Sequence, residues 1–321
     1  MSIVFLGTAK FAVPSLQVLV KAGYDVSAVV TQPDRPAGRG RRLAGSPVKA
    51  AAQELALPVL QFERLHTPGA LSQLQELGPE AMVACAFGQI LRPQVLGLPP
   101  RGILNIHPSL LPRHRGATPI PSAILAGDSE TGVTIILMDA GLDSGPILSQ
   151  TRLPIDERDT TGSLSEKLAP LAAQLLVPAL GHWLAGEIEP QPQDESVATV
   201  THHLQKEDGR IDWSRPAIEI WRQVRAFNPR PGAYTLLDSE LLHIWQAWLL
   251  PQDSGRPPGT ALALSVGQQT ETLQHGLEAG FAVQTGSGAL AVCEVQRAGR
   301  RALTATEFLR GTRGLIGKQL G

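Results

Sequence analysis

Apolar runs and helically spaced apolar positions alternate along the first half of the chain. Short continuous apolar runs, ended by glycine or polar residues, are typical of strands buried on both faces of a parallel sheet. Such runs lie at 3–6, 26–30, 59–60, 81–87 and 102–107. Helical spacing covers 11–22, 46–56 and 71–77. The alternation predicts an α/β domain with a mostly parallel sheet.

The pattern changes after residue 131. Extended segments are predicted at 133–138 and 147–155, on either side of the turn-rich sequence GLDSG. A long helical pattern follows at 161–185, and we expect Pro170 and Pro178 to bend or divide that helix, because proline removes a backbone donor. These elements would complete the first domain.

The stretch 187–196, EIEPQPQDES, is polar, acidic and proline-bearing, as interdomain linkers are. Beyond it, a helical stretch at 216–227 is followed by β-type runs at 233–237, 241–248, 260–264, 281–285 and 289–295. Short strands of this kind predict a small β-barrel, and the four tryptophans between 213 and 248 are expected in its core. We therefore expect a first domain over 1–188, a linker over 189–206 and a barrel domain over 207–321.

Length and composition fit two soluble domains. The chain has 321 residues, 43% apolar and 18% charged, which argues against a disordered, collagen-like or coiled-coil protein. Its two cysteines, Cys85 and Cys293, are too few for a disulfide scaffold or a four-cysteine metal site, and Cys85 lies in an apolar run. The amino terminus lacks a basic lead-in, and no stretch approaches about eighteen uninterrupted apolar residues. We expect a cytoplasmic protein with no signal peptide and no membrane span.

The net charge of −1 conceals an uneven distribution. As an average, it gives no sign of a nucleic-acid or membrane partner. Residues 31–50 contain five cations and one acid, residues 127–195 twelve acids and three bases, and residues 293–321 six bases and two acids. The distribution allows a basic face made from the first and last of these segments, which would suit a nucleic acid.

The residues best placed for chemistry lie at the end of the predicted strand at 102–107. Asn105 and His107 lie two residues apart, so their side chains point to the same side of that strand. They are at its carboxyl end, where open α/β sheets place their sites. An amide and an imidazole together can bind one carbonyl oxygen and handle one proton. The block MDAGLDSG at 138–145 offers Asp143 as a partner for His107, although loop carboxylates more often cap turns. The alternative is a strand-end histidine bonded only to backbone.

A basic loop, TQPDRPAGRGRR, follows the second predicted strand. The cations of this region are Arg35, Arg39, Arg41, Arg42 and Lys49. Proline and glycine leave them little chance of internal pairing, so the loop suits a phosphate-contacting finger, with a solvated surface loop as the alternative.

The turn GTAKFA at 7–12 imitates a dinucleotide fingerprint, but it has only one of the three glycines of that motif. The second strand also does not end in the acidic residue that would bind a ribose. Both observations argue against a nicotinamide enzyme.

At these residues the chain resembles the folate-dependent formyltransferases, over essentially its whole length. The shared segments include FLGTAKFA, TQPDRPAGRGRRL, FGQIL, NIHPSLLPRHRGATPI, GLDSG, RIDWS and RAFNPRPGA. The basic loop and the second domain are typical of the members that formylate charged initiator tRNA. The resemblance implies a Rossmann-like first domain and an OB-like barrel. It also implies a catalytic trio of Asn105, His107 and Asp143, in which Asp143 orients the imidazole and favours its cationic form.

The resemblance also implies the ligands. The formyl donor would be 10-formyltetrahydrofolate, bound beside Ser109, Leu110, Leu111 and Pro112, with the backbone of Phe87, Gly88, Gln89, Ile90 and Leu91 near the pterin. The acceptor would be initiator methionyl-tRNA, approached by the basic loop and by the second domain. No metal and no covalent enzyme intermediate are required, and nothing demands more than a monomer.

Two other functions compete with this interpretation. A formyltransferase acting on a small amine, such as a purine precursor or an amino sugar, would use the same trio but has no need of a basic loop. A non-enzymatic RNA-binding protein would use the barrel and its tryptophans, yet it leaves Asn105, His107 and Asp143 unexplained.

Overall fold

Two compact units make up the part of the chain, residues 1–37 and 42–321, that a computed structural model describes. The side chains of Ala37 and Arg42 lie outside that description. The first unit contains Met1–Pro119, Ser129–Pro154 and Leu164–His202, and the second contains Ile120–Asp128, Ile155–Ser163 and His203–Gly321. The segment predicted as a linker therefore belongs to the first unit as far as His202.

A seven-stranded sheet forms the centre of the first unit. The strands of this unit are β1 (Ser2–Gly7), β2 (Asp25–Thr31), β3 (Arg35–Ala37), β4 (Arg42–Ala44), β5 (Val59–Gln61), β6 (Ala81–Cys85), β7 (Ile103–His107), β8 (Arg115–Gly116), β9 (Glu130–Leu137), β10 (Ile147–Pro154) and β11 (Val200–Thr201). The sheet order is β10-β9-β7-β6-β1-β2-β5, while β3 pairs with β4 and β8 with β11. Strands β1, β2, β5, β6 and β7 are parallel, and β9 runs antiparallel to both of its neighbours, β7 and β10. The predicted mostly parallel sheet is confirmed.

Helices connect and cover these strands. They are α1 (Val13–Lys21), α2 (Pro47–Glu54), α3 (Pro68–Glu76), α4 (Pro93–Leu96), α5 (Pro119–Ala126) and α6 (Thr161–Ala185). Ser46 and Thr67 cap α2 and α3 through side-chain oxygens that accept backbone N–H groups, each followed by proline at the first helical position. Every residue of β6 is buried, which requires cover on both faces of the sheet.

Helix α6 is continuous, so of the two effects expected of its prolines, a bend or a division, division is wrong. Pro170 and Pro178 both lie inside the helix and are exposed. Each proline removes one backbone donor, and the carbonyls that lose a partner belong to Glu166 and Gln174, on the exposed side where water can bond them. By length and composition α6 is also apolar enough to cross a membrane, but 44% of its most apolar window is buried in the protein, as in a core helix.

An antiparallel sheet curled into a half-barrel forms the second unit. Its elements are α7 (Ala217–Ala226), β12 (Tyr234–Leu237), β13 (Glu240–Leu250), β14 (Ala261–Leu262), α8 (Val266–Gln274), β15 (Phe281–Gln284), β16 (Ala289–Arg297), β17 (Leu303–Thr304) and α9 (Ala305–Gly311). The strand order is β12-β13-β16-β15-β14, with β17 on β16. The terminal segment bonds to both edges: the Ala261 N–H on β14 donates to Lys318 O, and the Gly321 N–H donates to Leu236 O on β12. The predicted OB-like barrel is confirmed as a curled antiparallel sheet.

Three of the four tryptophans predicted in the core of the second unit lie there, whereas Trp245 is half-buried and stacks on His243. Trp213, Trp221 and Trp248 are buried, and the rings of Trp221 and Trp248 meet edge to face with centroids 5.7 Å apart. Arg225 lies over the Trp221 ring and donates to the carbonyl oxygens of Asp156 and Asp159. These bonds explain why the segment Ile155–Ser163 belongs to this unit.

Candidate active site

Strand β7 lies inside the sheet of the first unit, between β6 and β9. Asn105 pairs with Ala84 of β6 and with Ile136 of β9, so its backbone is bonded on both sides. Asn105 and His107 project from the same face near the carboxyl end of the strand, as alternation predicts. The sheet thus fixes the backbone from which both polar side chains extend.

The structure brings Asn105, His107 and Asp143 together. The Asn105 amide donates to Asp143 Oδ1 over 3.1 Å, and His107 Nδ1 lies 3.5 Å from Asp143 Oδ2. The side chains of His107 and Asp143 are only 5% and 14% exposed. Burial at this level makes each polar contact costly to lose, because water cannot replace the missing partner.

Backbone groups complete the polar shell of the trio. His107 Nε2 donates to the carbonyl oxygen of His114 over 2.9 Å, and the Gly116 N–H donates to Asp143 Oδ2 over 2.8 Å. Gly116 has φ of +105°, and a Cβ there would meet the Thr201 carbonyl at 2.8 Å, so only glycine fits. Sequence reasoning missed both backbone contacts because main-chain donors and acceptors carry no residue-type signal; Gly116 itself is the one trace of them.

Asp143 and Asp139, four residues apart, have different roles in the GLDSG turn. Asp139 caps the turn, accepting from the Gly141 N–H and from the Ser144 hydroxyl. Asp143 has φ of +49°, a left-handed conformation that is costly for a residue with a side chain. Its carboxylate faces Asn105 and His107. The turn-capping alternative therefore holds for Asp139 and not for Asp143.

Burial lowers the pKa of His107 below its usual value, and this effect outweighs the opposing influence of the Asp143 charge and of the hydrogen bond to His114. Asp143 acts toward the cation, in the direction expected of it, and burial sets the net direction toward the neutral ring. Since a carbonyl oxygen can only accept, the proton of neutral His107 sits on Nε2, and Nδ1 is the basic nitrogen. This basic nitrogen faces Asp143.

The two segments predicted to hold a folate follow neighbouring parallel strands. Phe87, Gly88, Gln89, Ile90 and Leu91 come after β6, and Ser109, Leu110, Leu111 and Pro112 come after β7. The Gln89 side chain accepts from the Leu65 N–H and donates to Phe62 O, while the Ile90 side chain is 89% exposed. An exposed apolar side chain on an anchored loop fits an apolar ring system.

A buried threonine and a glutamine hold the second of these segments. The Thr134 hydroxyl donates to Ser109 O over 2.6 Å and accepts from the Leu111 N–H over 3.1 Å. Gln150 donates to Leu111 O and to the Thr134 hydroxyl. The polar backbone of Ser109–Leu111 is therefore bonded within the protein, which leaves the loop a defined shape for a ligand.

The basic loop carries ion pairs that sequence reasoning did not expect. Arg35 pairs with Glu63 at 2.5 Å, and Lys49 pairs with Asp34 at 2.7 Å and donates to Gln61. Hydrogen bonds from Lys49 and Gln61 hold the pKa of Asp34 below its usual value. Arg39 and Arg41 lie outside the described residues, as does the side chain of Arg42.

Cys85 ends β6, the neighbour of β7 in the seven-stranded sheet, and is not suited to nucleophilic chemistry. Both cysteines are buried and free, as predicted for Cys85. Burial raises the pKa of Cys85, and also that of Cys293, to about 12. A thiol with such a pKa is protonated at neutral pH and is a weak nucleophile.

Comparison with known proteins matches both units. The formyl transferase family model matches residues 1–180, and the model of the formyl transferase C-terminal domain matches residues 203–313. The chain is 50% identical over 311 residues to the methionyl-tRNA formyltransferase of Chloroflexus aggregans, with 97% of each chain covered. It is 46% identical over 322 residues to the methionyl-tRNA formyltransferase of Thiobacillus denitrificans, with 100% of each chain covered.

Solved structures share the fold at low sequence identity. The sugar 3N-formyl transferase WlaRD, in the presence of dTDP and 5-N-formyl-THF, superposes with a TM-score of 0.65 at 19% identity, covering 94% of this chain and 99% of that one. HypX from Aquifex aeolicus, in complex with tetrahydrofolic acid, gives a TM-score of 0.62 at 18% identity, covering 98% of this chain and 48% of that one.

Proposed function

The chain belongs to the formyltransferase family, and from that premise we propose that it transfers the formyl group of 10-formyltetrahydrofolate to the α-amino group of methionine on initiator methionyl-tRNA. The product would be N-formylmethionyl-tRNA for translation initiation. The observation that carries the proposal is the trio itself, in which the Asn105 amide and the His107 ring both meet the Asp143 carboxylate, in a chain similar over its full length to methionyl-tRNA formyltransferases. We expect the enzyme to act as a monomer in the cytoplasm.

Asn105 is proposed to stabilise the oxyanion of the tetrahedral intermediate. The methionine amine forms a bond to the formyl carbon, and the carbonyl oxygen becomes negatively charged. One N–H of the Asn105 amide is taken by Asp143 Oδ1, which fixes the amide plane and leaves its second N–H for the substrate oxygen. A donor placed in advance at such an oxygen lowers the barrier by about 3 kcal/mol.

His107 is proposed to carry the proton from the attacking amine to the leaving folate nitrogen. Its lowered pKa keeps the ring neutral at pH 7, so that Nδ1 is free to accept the amine proton. Asp143 Oδ2, 3.5 Å from Nδ1, stabilises the imidazolium that forms. When the bond between the formyl carbon and the folate nitrogen breaks, the imidazolium returns the proton to that nitrogen, and His107 is neutral again.

The folate and tRNA contacts are proposed from the positions of their residues. The formyl donor would lie between the segments Phe87–Leu91 and Ser109–Pro112, beside the trio. Phosphates of the acceptor end would meet Arg35, Arg39, Arg41, Arg42 and Lys49, with the second unit contacting the rest of the tRNA. The pair of Arg35 with Glu63 is mostly exposed, so exchange of Glu63 for a phosphate costs little.

A direct assay tests the function. The purified protein is incubated with 10-formyltetrahydrofolate and methionine-charged initiator tRNA, and formylmethionine is released and measured. We expect formylation that requires the folate and that His107→Ala abolishes at saturating substrates. An amino sugar as alternative acceptor runs in parallel. Turnover of the sugar without the tRNA, or near-normal turnover by His107→Ala, contradicts the proposal.

A further inference from the structure

Residues 191–201 form a strap that contacts two loops of the first unit. One loop carries Asp143, and the other carries His114, whose carbonyl oxygen accepts from His107. At one end of the strap, Gln191 and Ile147 exchange two backbone hydrogen bonds, just after the GLDSG turn. At the other end, β11 pairs with β8, next to the loop that follows β7. The strap therefore joins two segments that lie about thirty residues apart in sequence, and it lies within the stretch predicted as an interdomain linker.

Gln193 bonds the strap to the backbone of Asp143. Its amide nitrogen donates to Asp143 O over 2.8 Å and to Gly145 O over 2.7 Å. Asp143 has positive φ, a conformation that costs energy unless surrounding contacts hold it. Gln193 supplies such contacts on the main chain, while the Asp143 carboxylate is left for Asn105 and His107.

Arg115 fixes the orientation of the Gln193 amide. Its guanidinium donates to Gln193 Oε1 from Nε at 3.1 Å and from a terminal nitrogen at 2.9 Å, and it also forms a bidentate pair with Glu195. A guanidinium has no acceptor, so the oxygen of the amide must face Arg115 and its nitrogen must face the two carbonyls. Arg115 is 6% exposed whereas the Glu195 side chain is 71% exposed, so it is the buried guanidinium that holds the Gln193 amide in one arrangement.

Thr199 bonds the strap to the other partner of His107. Its hydroxyl accepts from the His114 N–H over 2.8 Å, and its backbone carbonyl accepts from the Arg115 N–H. His114 also has positive φ, and its carbonyl oxygen accepts the hydrogen bond that His107 Nε2 donates. The strap thus contacts the residues on both sides of the imidazole: Asp143 near Nδ1 and His114 at Nε2.

We propose that the strap positions the catalytic trio, with Gln193 holding Asp143 and Thr199 holding the acceptor that sets the His107 tautomer. Neither side chain contacts the trio's reactive atoms, so both are positioning residues. The kinetic part of the inference rests on the proposed function.

The first experiment separates positioning from simple anchoring. Gln193→Met removes both amide functions at nearly constant length, and Gln193→Glu keeps the acceptor for Arg115 while losing the donor to the two carbonyls. We expect kcat for formylation to fall about tenfold or more in both variants, because two part-buried hydrogen bonds to the backbone around Asp143 are lost, with little change in KM for folate. Gln191→Met is the matched control, because that side chain donates only to Glu189 O at the surface.

Three outcomes decide the role of Gln193. Gln193→Met with kcat like that of Gln191→Met overturns it, and so does Gln193→Glu with normal kcat, because then the anchoring of Arg115 is what matters. The third is a double-mutant cycle: in an Asp143→Asn background, Gln193→Met should cost less than about twofold, since residues acting through one group are not additive. Full additivity contradicts a role through Asp143.

The second experiment needs no substrate. In protein with ¹⁵N-labelled histidine, the ring signals of His107, assigned with His107→Gln, should report the Nε2–H tautomer. Thr199→Val should convert them to a mixture of tautomers, and Thr199→Ser, which keeps the hydroxyl, should restore them. Unchanged signals in Thr199→Val overturn the role of Thr199. If the signals change while the wild-type protein formylates no tRNA, the strap stands and the proposed function fails.

Discussion

The trio and the basic loop are both polar regions of the first unit, but their side chains are held in opposite ways. The side chains of His107 and Asp143 are 5% and 14% exposed; His107 donates to His114 O, and Asp143 accepts from Asn105 and from the Gly116 N–H. Arg35 and Glu63 pair at the surface, with side chains 62% and 66% exposed. A buried polar group that loses its partner finds no water to replace it, whereas a surface ion finds water at once. Single substitutions should therefore be severe in the trio and mild in the loop.

Asn105→Ala is the severest test of the buried side of this comparison. The substitution removes the proposed oxyanion donor and leaves Asp143 Oδ1 without its amide partner. We expect kcat for formylmethionyl-tRNA to fall by about 10²–10³-fold, with KM for both substrates little changed. Asp139→Asn is the control, because Asp139 caps the same turn without touching the trio, and its kcat should stay near that of the wild type. Equal losses in the two variants would contradict a specific role for Asn105.

The pH dependence tests the charge state of His107. Burial lowers its pKa, so the neutral base persists below the usual pKa of about 6.5. We expect kcat, measured at saturating charged tRNA so that ionisation of the free substrate amine does not enter, to be constant through pH 7 and to fall about tenfold per unit only below that lowered pKa. Asp143 raises the pKa of His107, so Asp143→Asn should move the fall to still lower pH. A shift to higher pH in that variant would show that the group observed is not His107.

The sequence predicts the site through residue type and spacing, and it fails where geometry depends on distant backbone. Asn105 and His107 follow from strand alternation, and Asp143 from its place in a glycine-rich turn. Strands β1, β2, β6 and β7 follow from their apolar runs. Gln193 was not found, because the acidic, proline-bearing stretch around it has the composition of a linker and its bonds to Asp143 and Arg115 cross 50 and 78 residues.

Helices show the same limit. The caps at Ser46 and Thr67 are local signals that the sequence alone carries, because a hydroxyl and a following proline act within four residues. The sequence alone does not predict that α6 continues through Pro170 and Pro178, since this continuity depends on the nine side chains that the helix buries in the folded protein. Helix α8 begins with a capping box at Ser265 and Gln268, a local signal that was available and was missed.

The basic loop should respond through tRNA rather than through chemistry. We expect the double substitution Arg41→Ala, Arg42→Ala to raise KM for charged tRNA about tenfold and to reduce the slope of log affinity against log salt by about one for each lost phosphate contact. The value of kcat at saturating tRNA should hold. The measurement is tRNA affinity at several salt concentrations beside folate affinity at one. An effect confined to folate would remove the loop from the tRNA interface.

Glu63→Ala should have the smallest effect and tests the exposed side of the comparison. The pair with Arg35 is exposed on both sides, so its loss should change the free energy of unfolding by less than about 0.5 kcal/mol. Removing Glu63 also frees Arg35 for phosphate, so KM for tRNA should fall slightly, by less than about twofold, and more at low salt. Urea unfolding and tRNA titrations at two salt concentrations measure both. A loss above about 1 kcal/mol would mean that this surface pair is held as tightly as the buried contacts of the trio, and the contrast between the two regions would fail.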